Sequence, residues 1–174
     1  MTEPEVSLGI AIHYIKSGEA VGNAFVSIDG AHVKTGGTVH FDINGFMREN
    51  GYIKCDKSDK WQGEYVNEKY ASRIVISSRS GEGDVRIALT DGNILYVESK
   101  KFKSGIGGEY PAMREAIGQL MTGCPDTDRV IPVVAVPYST KSKELAKRWS
   151  CSRRIRNAGI RFILVNDNGS VLFI

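Results

Sequence analysis

The chain has 174 residues, of which 41% are hydrophobic and 25% are charged, with 19 glycines and 5 prolines. This composition is that of one globular domain and excludes a disordered chain, a collagen-like repeat and a disulfide-rich scaffold. No apolar stretch approaches the ~20 residues that a membrane-spanning helix needs. The three cysteines are widely separated, and the acidic N-terminus does not resemble a secretory signal. We therefore expect a cytoplasmic protein with no membrane partner.

The net charge of +3 is unevenly distributed along the chain. Residues 138–158 contain seven basic residues and one acidic residue, so the remainder of the chain is net acidic. A basic stripe on a near-neutral protein favours a polyanionic partner such as nucleic acid. A solvated helix face produces the same pattern, and charge alone leaves both interpretations open.

The first third of the chain contains fewer clear signals. Alternation of apolar with small or polar residues predicts strands over residues 6–15 and 20–28. Thr38 is predicted to cap a helix that runs to residue 50 and that Gly51 ends. The polar segment 54–67 is predicted to form a loop.

The signals become stronger from residue 73 onward. Strands are predicted over residues 73–78, 84–90, 94–102, 130–136, 160–165 and 170–174, and helices over residues 111–122 and 140–157. Strands that alternate with helices, without an internal repeat, indicate one α/β domain. Its core is predicted to span residues 39–174, with the two N-terminal strands as a β-hairpin extension.

The hairpin formed by residues 84–90 and 94–102 carries the most informative pattern. Side chains alternate between faces along a strand, so one face of this hairpin is apolar: Val85, Ile87, Leu89, Leu95 and Val97. Burying that face across a three-residue turn pairs Leu89 with Leu95. This register gathers Asp84, Glu98 and Lys100 on the other face, with Asp84 opposite Lys100.

Two carboxylates and an ammonium group at one end of a hairpin suggest a specific chemistry. Mg²⁺ takes oxygen ligands from one or two carboxylates and keeps several waters for a substrate phosphate. A lysine beside it can orient or help deprotonate a water that attacks a phosphodiester. The alternative is an exposed cross-strand salt bridge, which is common and contributes little.

The order of these residues resembles the signature of the PD-(D/E)XK, or restriction-endonuclease-like, nuclease superfamily. The signature consists of Asp84 and then Glu98-Ser99-Lys100 at the end of an apolar strand. The predicted order of elements is similar too: helix, three strands, helix, strand, helix, strand. The resemblance implies a restriction-endonuclease-like core, in which helices flank a central mixed β-sheet.

A second motif and two departures refine the resemblance. The segment 114–120, which contains Gln119, is similar to the helix that supports the catalytic lysine in some branches. Gly83 stands where the family name has proline. Gly123 stands where the glutamine helix often carries a tyrosine.

The resemblance implies a Mg²⁺-dependent nuclease that hydrolyses phosphodiester bonds, with Mn²⁺ able to substitute. Asp84 and Glu98 would bind the metal, together with the backbone carbonyl of Ser99. Lys100 would position the attacking water, and Gln119 would support it. We expect a DNA endonuclease of restriction, repair, recombination or phage-defence type. The alternatives are a non-catalytic nucleic-acid-binding or scaffold domain on the same fold and an RNA-cleaving toxin or effector.

Several basic residues are predicted to contact the nucleic-acid backbone: Lys101, Lys103, Lys143, Lys147 and Arg154. The last three fall on one stripe if residues 140–157 form one helix. The glycine-rich segment 104–108 is either a connector or a place where the substrate backbone approaches. A nuclease of this size that cuts both strands is expected to be a homodimer, with the N-terminal hairpin as its candidate interface.

Four other residues are open to a functional interpretation and to a plainer one. Glu49 and Glu82 could supply an additional acid, although surface carboxylates are the interpretation we favour. Trp61 and Tyr65 lie in the polar segment and either stack on bases or anchor the loop to the core.

Overall fold

The computed structural model describes residues 1–79, 81–103, 105 and 107–174. Its helices are α1 (Glu3–Lys16), α2 (Gly30–Val33), α3 (Ile43–Glu49), α4 (Glu109–Gly123), α5 (Thr140–Ser150) and α6 (Arg153–Asn157). Its strands are β1 (Ala20–Ser27), β2 (Lys34–Thr35), β3 (Thr38–Val39), β4 (Ile53–Lys54), β5 (Gly63–Val66), β6 (Ile74–Ser77), β7 (Val85–Leu89), β8 (Ile94–Ser99), β9 (Val130–Pro137), β10 (Arg161–Val165) and β11 (Val171–Phe173).

A large mixed sheet has the strand order β11-β10-β9-β8-β7-β1-β6-β5-β4. Strands β8, β9 and β10 run parallel, because α4 and then α5–α6 carry the chain back between them. Strand β7 is antiparallel to both β8 and β1. The short strands β2 and β3 form a separate ladder.

Helices cover both faces of the sheet and create two apolar layers. Helix α1 packs on one face, against a buried set that includes Val85, Ile87, Leu95 and Val97. Helices α4 and α5 cover the other face around Val134, Val136 and Leu164. The fold is therefore α/β with a mixed central sheet flanked by helices, as the sequence predicts.

The prediction of an N-terminal β-hairpin is wrong for its first strand. Residues 6–15 belong to helix α1, and β1 lies in the interior of the sheet between β7 and β6. Nearly every side chain of α1 between Pro4 and Ile15 is buried, so the helix has no polar face to reveal a 3.6-residue period. Thr2 and Glu5 form the capping box that begins it. Helix α1 is part of the core, so the N-terminal hairpin that was the candidate dimer interface does not form.

Two further predictions in the first half need correction. The helix expected from Thr38 begins only at Ile43 with Asp42 as its N-cap, and Val39 is exposed in β3. Gly51 follows the end of this helix with a φ of +82°, as predicted. The segment 54–67 is not a loop throughout, because β4 and β5 pair within it and extend the sheet.

The second half agrees closely with prediction. Strands β6 to β11 and helix α4 lie within a few residues of their predicted bounds. The helix predicted over residues 140–157 is instead broken at Cys151 and Ser152 into α5 and α6. In the part of the chain that the structure describes, no helix is both long and apolar enough to cross a lipid bilayer.

The register of β7 and β8 preserves the predicted faces but not the predicted partners. Val85 pairs with Val97 and Ile87 with Leu95, which differs from the predicted register by two residues. A shift by an even number leaves every side chain on its predicted face. Extending the observed ladder places Asp84 beside Glu98 rather than opposite Lys100.

Candidate active site

The site forms where β7 begins and β8 ends. The Asp84 N–H donates a 2.9 Å hydrogen bond to the Val97 carbonyl, and the Asp84 carbonyl accepts one of 2.9 Å from the Ser27 N–H. The backbone of Asp84 is therefore bonded to both neighbouring strands. Its carboxylate Oδ2 also accepts a 2.7 Å hydrogen bond from the Ser99 N–H.

Glu98 and Lys100 form a buried ion pair at the end of β8. Lys100 Nζ lies 3.3 Å from Glu98 Oε1, and the two residues are only 8% and 9% exposed, respectively. The Lys100 N–H donates to the Ala135 carbonyl of β9 at 2.9 Å. The exposed cross-strand salt bridge considered as an alternative is therefore not what the structure contains. Burying such charges has a large desolvation cost. A solvated surface ion pair would not carry this cost, so the burial of these two charges requires a separate explanation.

Helix α1 contributes a third carboxylate that the sequence prediction did not include. Glu3 Oε1 lies 3.5 Å from Lys100 Nζ and 3.5 Å from His32 Nδ1. Glu3 reaches the site because α1 begins close to the point where the central strand β8 ends. The capping-box pair Thr2 and Glu5 is the sequence signal that would have placed a helix start at this position.

The carboxylates outnumber the ammonium group that contacts them. Burial and then the charge of Glu98 raise the pKa of Asp84 to about 7, and the lowering effects of Lys100 and of the Ser99 hydrogen bond do not offset the rise. Burial also raises the pKa of Glu98, against the lowering effect of Lys100. Burial lowers the pKa of Lys100, but Asp84, Glu3 and Glu98 together outweigh it, so the net shift is upward. Negative charge is therefore incompletely balanced here.

The donor set fits Mg²⁺ in its chemistry and in its number of carboxylates. Mg²⁺ uses one or two carboxylates and otherwise water, and Asp84 and Glu98 supply two. The excess negative charge also favours a divalent cation. Among the described residues, no group of three or more His, Cys, Asp or Glu side chains is arranged to hold a metal. Asp84 instead accepts from Ser99, and Glu98 contacts Lys100.

A cavity of about 790 Å³ opens beside these groups. Asp84, Glu98 and Tyr96 line it, and so does the predicted residue Gln119 from α4. Gln119 is exposed. Gln119 and Lys100 are both among the described residues, and no hydrogen bond joins them. The structure therefore brings Gln119 to the cavity, and its supporting role stays a prediction.

Gly83 and Gly123, the two positions that depart from the pattern of the resembled family, both contact the side chain of Tyr96. Gly83 has a φ of +72°, which proline cannot adopt, and a Cβ there would lie 2.7 Å from Cζ of Tyr96. The Tyr96 hydroxyl donates to the Gly123 carbonyl at 3.3 Å. Tyr96 from β8 thus packs between the two positions that differ from the family.

The predicted basic contacts near β8 lie on the surface. Lys101 and Lys103 are exposed, and Lys103 forms a 2.7 Å ion pair with Glu115 of α4. In the glycine-rich segment 104–108, Ser104 and Ile106 lie outside the described residues.

The predicted basic stripe is not continuous. Lys143 is half-buried and Lys147 is exposed, one helical turn apart on α5. Arg154 stands on α6 beyond the break and does not share their helix face. The prediction of one stripe through all three residues is therefore wrong, because Cys151 and Ser152 interrupt the helix.

The plainer interpretation holds for three of the four remaining residues. Glu49 is exposed, and so is Glu82, which lies 3.8 Å from Arg86. Tyr65 is 1% exposed and anchors its segment to the core. Trp61 differs, because it packs partly on the core and also lines the cavity.

Comparison with known proteins identifies no relative. No protein-family model matches this chain, and no curated protein or solved structure matches it. The functional argument therefore depends on the geometry described above.

The contact between Gly83 and Tyr96 predicts a measurable loss of stability. We expect Gly83→Ala to lower the free energy of unfolding by about 1–3 kcal/mol more than Gly92→Ala does. Both glycines have positive φ, but a Cβ at Gly92 meets nothing within 4 Å. Chemical denaturation of the two variants measures the difference. Equal losses would contradict the proposed crowding.

The raised pKa of Asp84 predicts a pH dependence of stability. Between its ordinary value of 3.8 and about 7, the folded protein keeps a proton that the unfolded chain has lost. The free energy of unfolding of the metal-free protein should therefore fall as pH rises through this window and then level off.

Replacing Asp84 by asparagine removes the buried charge that destabilises the folded protein above pH 7. In a chelator, we expect Asp84→Asn to be more stable than wild type at pH 8 by on the order of 1–3 kcal/mol. The advantage should disappear below the ordinary pKa of 3.8, where Asp84 is protonated in both the folded and the unfolded chain. Urea unfolding across this range measures it, with Glu49→Gln as an exposed-acid control. A variant that is equally or less stable at pH 8 would contradict the buried-charge account.

Proposed function

We propose that this protein is a Mg²⁺-dependent nuclease that hydrolyses phosphodiester bonds, with DNA favoured over RNA as substrate. The observation that carries the proposal is the buried ion pair of Glu98 and Lys100 next to the half-buried Asp84, with both acids lining an accessible cavity. Buried ionisable groups with perturbed pKa values in a cleft are characteristic of functional sites. A purely structural role would not require excess carboxylates around one lysine.

The order of elements supports the same proposal. Helix α1, strands β1, β7 and β8, helix α4, strand β9, helix α5 and strand β10 follow the order that the resemblance implies. The first helix is α1 rather than the helix predicted from Thr38, and residues 30–77 form an insertion between the first two strands. Asp84 directly precedes β7 and Glu98 lies in β8, so the two acids belong to adjacent strands, which agrees with what the resemblance implies.

Each site residue has a role that its surroundings can support. Asp84 and Glu98 would hold Mg²⁺, together with the Ser99 carbonyl. Bound Mg²⁺ supplies a Lewis acid that stabilises negative charge on the phosphate. Lys100 keeps its proton near neutral pH because its pKa is raised. It therefore acts through hydrogen bonds that orient the attacking water, and Gln119 approaches the same cavity from α4.

The surface charges suggest how a nucleic acid would be held. Lys101 follows the site directly, and Lys143 and Lys147 lie on α5, which begins just after the neighbouring strand β9 ends. These ammonium groups can contact phosphates without reading bases. A homodimer remains expected for cutting both strands, and its contact surface must lie outside the buried helix α1.

A non-catalytic nucleic-acid-binding domain is the second candidate. It is favoured by the hydrogen bond from Ser99 to Asp84 and by the lack of convergent ligands among the described residues. Metal-dependent cleavage decides between the two candidates.

Neutral substitutions in the site test the nuclease proposal. We expect Asp84→Asn, Glu98→Gln and Lys100→Met each to lower the cleavage rate by at least about 100-fold while keeping the fold. Glu3→Gln should also lower it, because Glu3 contacts Lys100. Cleavage of plasmid, linear duplex, single-stranded DNA and RNA is measured with Mg²⁺, Mn²⁺ or chelator.

The control for these variants is Glu49→Gln, which removes an exposed acid remote from the cavity and should cleave like wild type. Cleavage of RNA alone would favour an RNA-cleaving effector. If wild type cleaves no substrate with either metal, the binding-domain candidate replaces the nuclease.

Lys143 and Lys147 are expected to add affinity without sequence preference. The double variant Lys143→Gln/Lys147→Gln should weaken binding to all sequences alike. The slope of log affinity against log salt should decrease by about 0.9 per lost phosphate contact on duplex DNA, or about 0.7 on single strands. Cleavage at saturating substrate should persist.

Lys16→Gln is the matched control, since Lys16 is an exposed lysine at the far end of α1. The salt slope of Arg154→Gln shows separately whether α6 also contacts the nucleic-acid phosphates. An unchanged salt slope in the double variant would mean that α5 presents only a solvated face.

A further inference from the structure

The cavity that contains Asp84 and Glu98 has an aromatic wall outside the groups discussed so far. Trp61 and Gln62, from the segment between β4 and β5, line the same cavity. Trp61 is half-buried: it packs against the core and keeps an accessible surface in the cavity lining. Neither residue belongs to the proposed metal site.

The segment before Trp61 is held by Lys54. Lys54 Nζ lies 2.9 Å from Asp56 Oδ1, 2.6 Å from Ser58 Oγ and 3.1 Å from the Ser58 carbonyl, and it also contacts the Lys60 carbonyl. The Lys54 side chain is only 11% exposed. One buried ammonium group thus organises the turn that leads to Trp61.

The backbone of Trp61 is held as well. The hydroxyl of Tyr65 lies 2.7 Å from the Trp61 carbonyl oxygen and 2.6 Å from Asn44 Oδ1. Tyr65 itself is 1% exposed. A buried tyrosine already anchors this segment, so anchoring does not account for an indole that remains accessible in the cavity. Trp61 is a preorganised aromatic surface beside the acids.

We propose that Trp61 stacks on an unpaired nucleobase next to the phosphate held at Asp84 and Glu98, so that the strand entering the cavity is single-stranded or locally unwound DNA. The proposal rests on the proposed function and narrows its substrate class. A base in a duplex is stacked on both faces, so it must leave the stack before an indole can contact it.

The size and chemistry of the cavity agree with this substrate. A volume of about 790 Å³ falls within the range of pockets that bind small ligands, which suits one or two nucleotides. The amide of Gln62 carries both a donor and an acceptor, as the edge of a base requires. Stacking accepts any base, because every base has a flat π face.

Intrinsic fluorescence can report on Trp61 directly. The chain has two tryptophans, and the second, Trp149, packs against Tyr110 and Phe162 on the α4–α5 side. Trp149→Phe therefore leaves Trp61 as the sole tryptophan, which can be excited selectively over the seven tyrosines. In a chelator, which prevents metal-dependent cleavage, we expect a single-stranded DNA oligonucleotide to quench this fluorescence. A blunt-ended linear duplex at equal phosphate concentration should quench it far less.

Affinity measurements on Trp61 variants complete the test. Trp61→Ala should weaken binding of the single strand by about 5- to 150-fold, and Trp61→Phe should retain most of the affinity, because it keeps a π face. Affinity for the blunt duplex should be unchanged in both. Thermal unfolding monitors the fold, and Trp61→Phe preserves the test if Trp61→Ala does not fold.

The outcomes separate this proposal from the nuclease proposal. Unchanged single-strand affinity in a folded Trp61→Ala variant, or equal quenching by both DNAs, would overturn the role of Trp61 whether or not wild type cleaves. Selective quenching and weakened binding would support it. If wild type then cleaves no substrate, Trp61 remains a strand-binding residue and the nuclease proposal fails on its own.

Discussion

The candidate site depends on one constraint, the burial of one face of the β7–β8 hairpin beneath helix α1. Val85 and Val97 pair on that face with almost no exposure, so the alternate positions must point to the opposite side. Asp84 and Glu98 occupy those positions at the hairpin's open end. Their proximity follows from apolar packing elsewhere in the hairpin, and any single-residue slip would separate them.

Burial on that scale also makes the site electrostatically unfavourable in the metal-free chain. Asp84 and Glu98 lose hydration, and neither is fully compensated by Lys100. Replacing buried ionic groups by apolar ones is often neutral or stabilising, so folding alone does not require them. Charges that weaken the fold and border an accessible cavity are most simply explained by something that binds there.

Sequence pattern predicted the face of each strand residue but not the partner across the ladder. Alternation constrains parity, whereas the turn determines the register. The Leu89 N–H donates to the Asn93 carbonyl, so the turn spans residues 90–92 instead of the expected 91–93, which shifts the register by two. Helix α1 was missed because a helix buried on all sides shows no amphipathic period. Glu3 was therefore missed as well, because its position in the site depends on α1 beginning near the end of β8. The break after α5 was also not predicted from the sequence, because Cys151 and Ser152 are neither glycine nor proline and give no strong signal that a helix ends.

The site combines parts from two regions of the chain with different tasks. The core elements α1, β7 and β8 supply the charged groups Glu3, Asp84, Glu98 and Lys100. Residues 30–77, which lie between β1 and β7, supply Trp61 to the cavity wall and His32 to the contact with Glu3. This segment adds β4, β5 and β6 to one side of the sheet, so its loops can change without moving the acids at the central strands. The charged groups of the candidate site and the aromatic wall of its cavity thus come from separate parts of the chain.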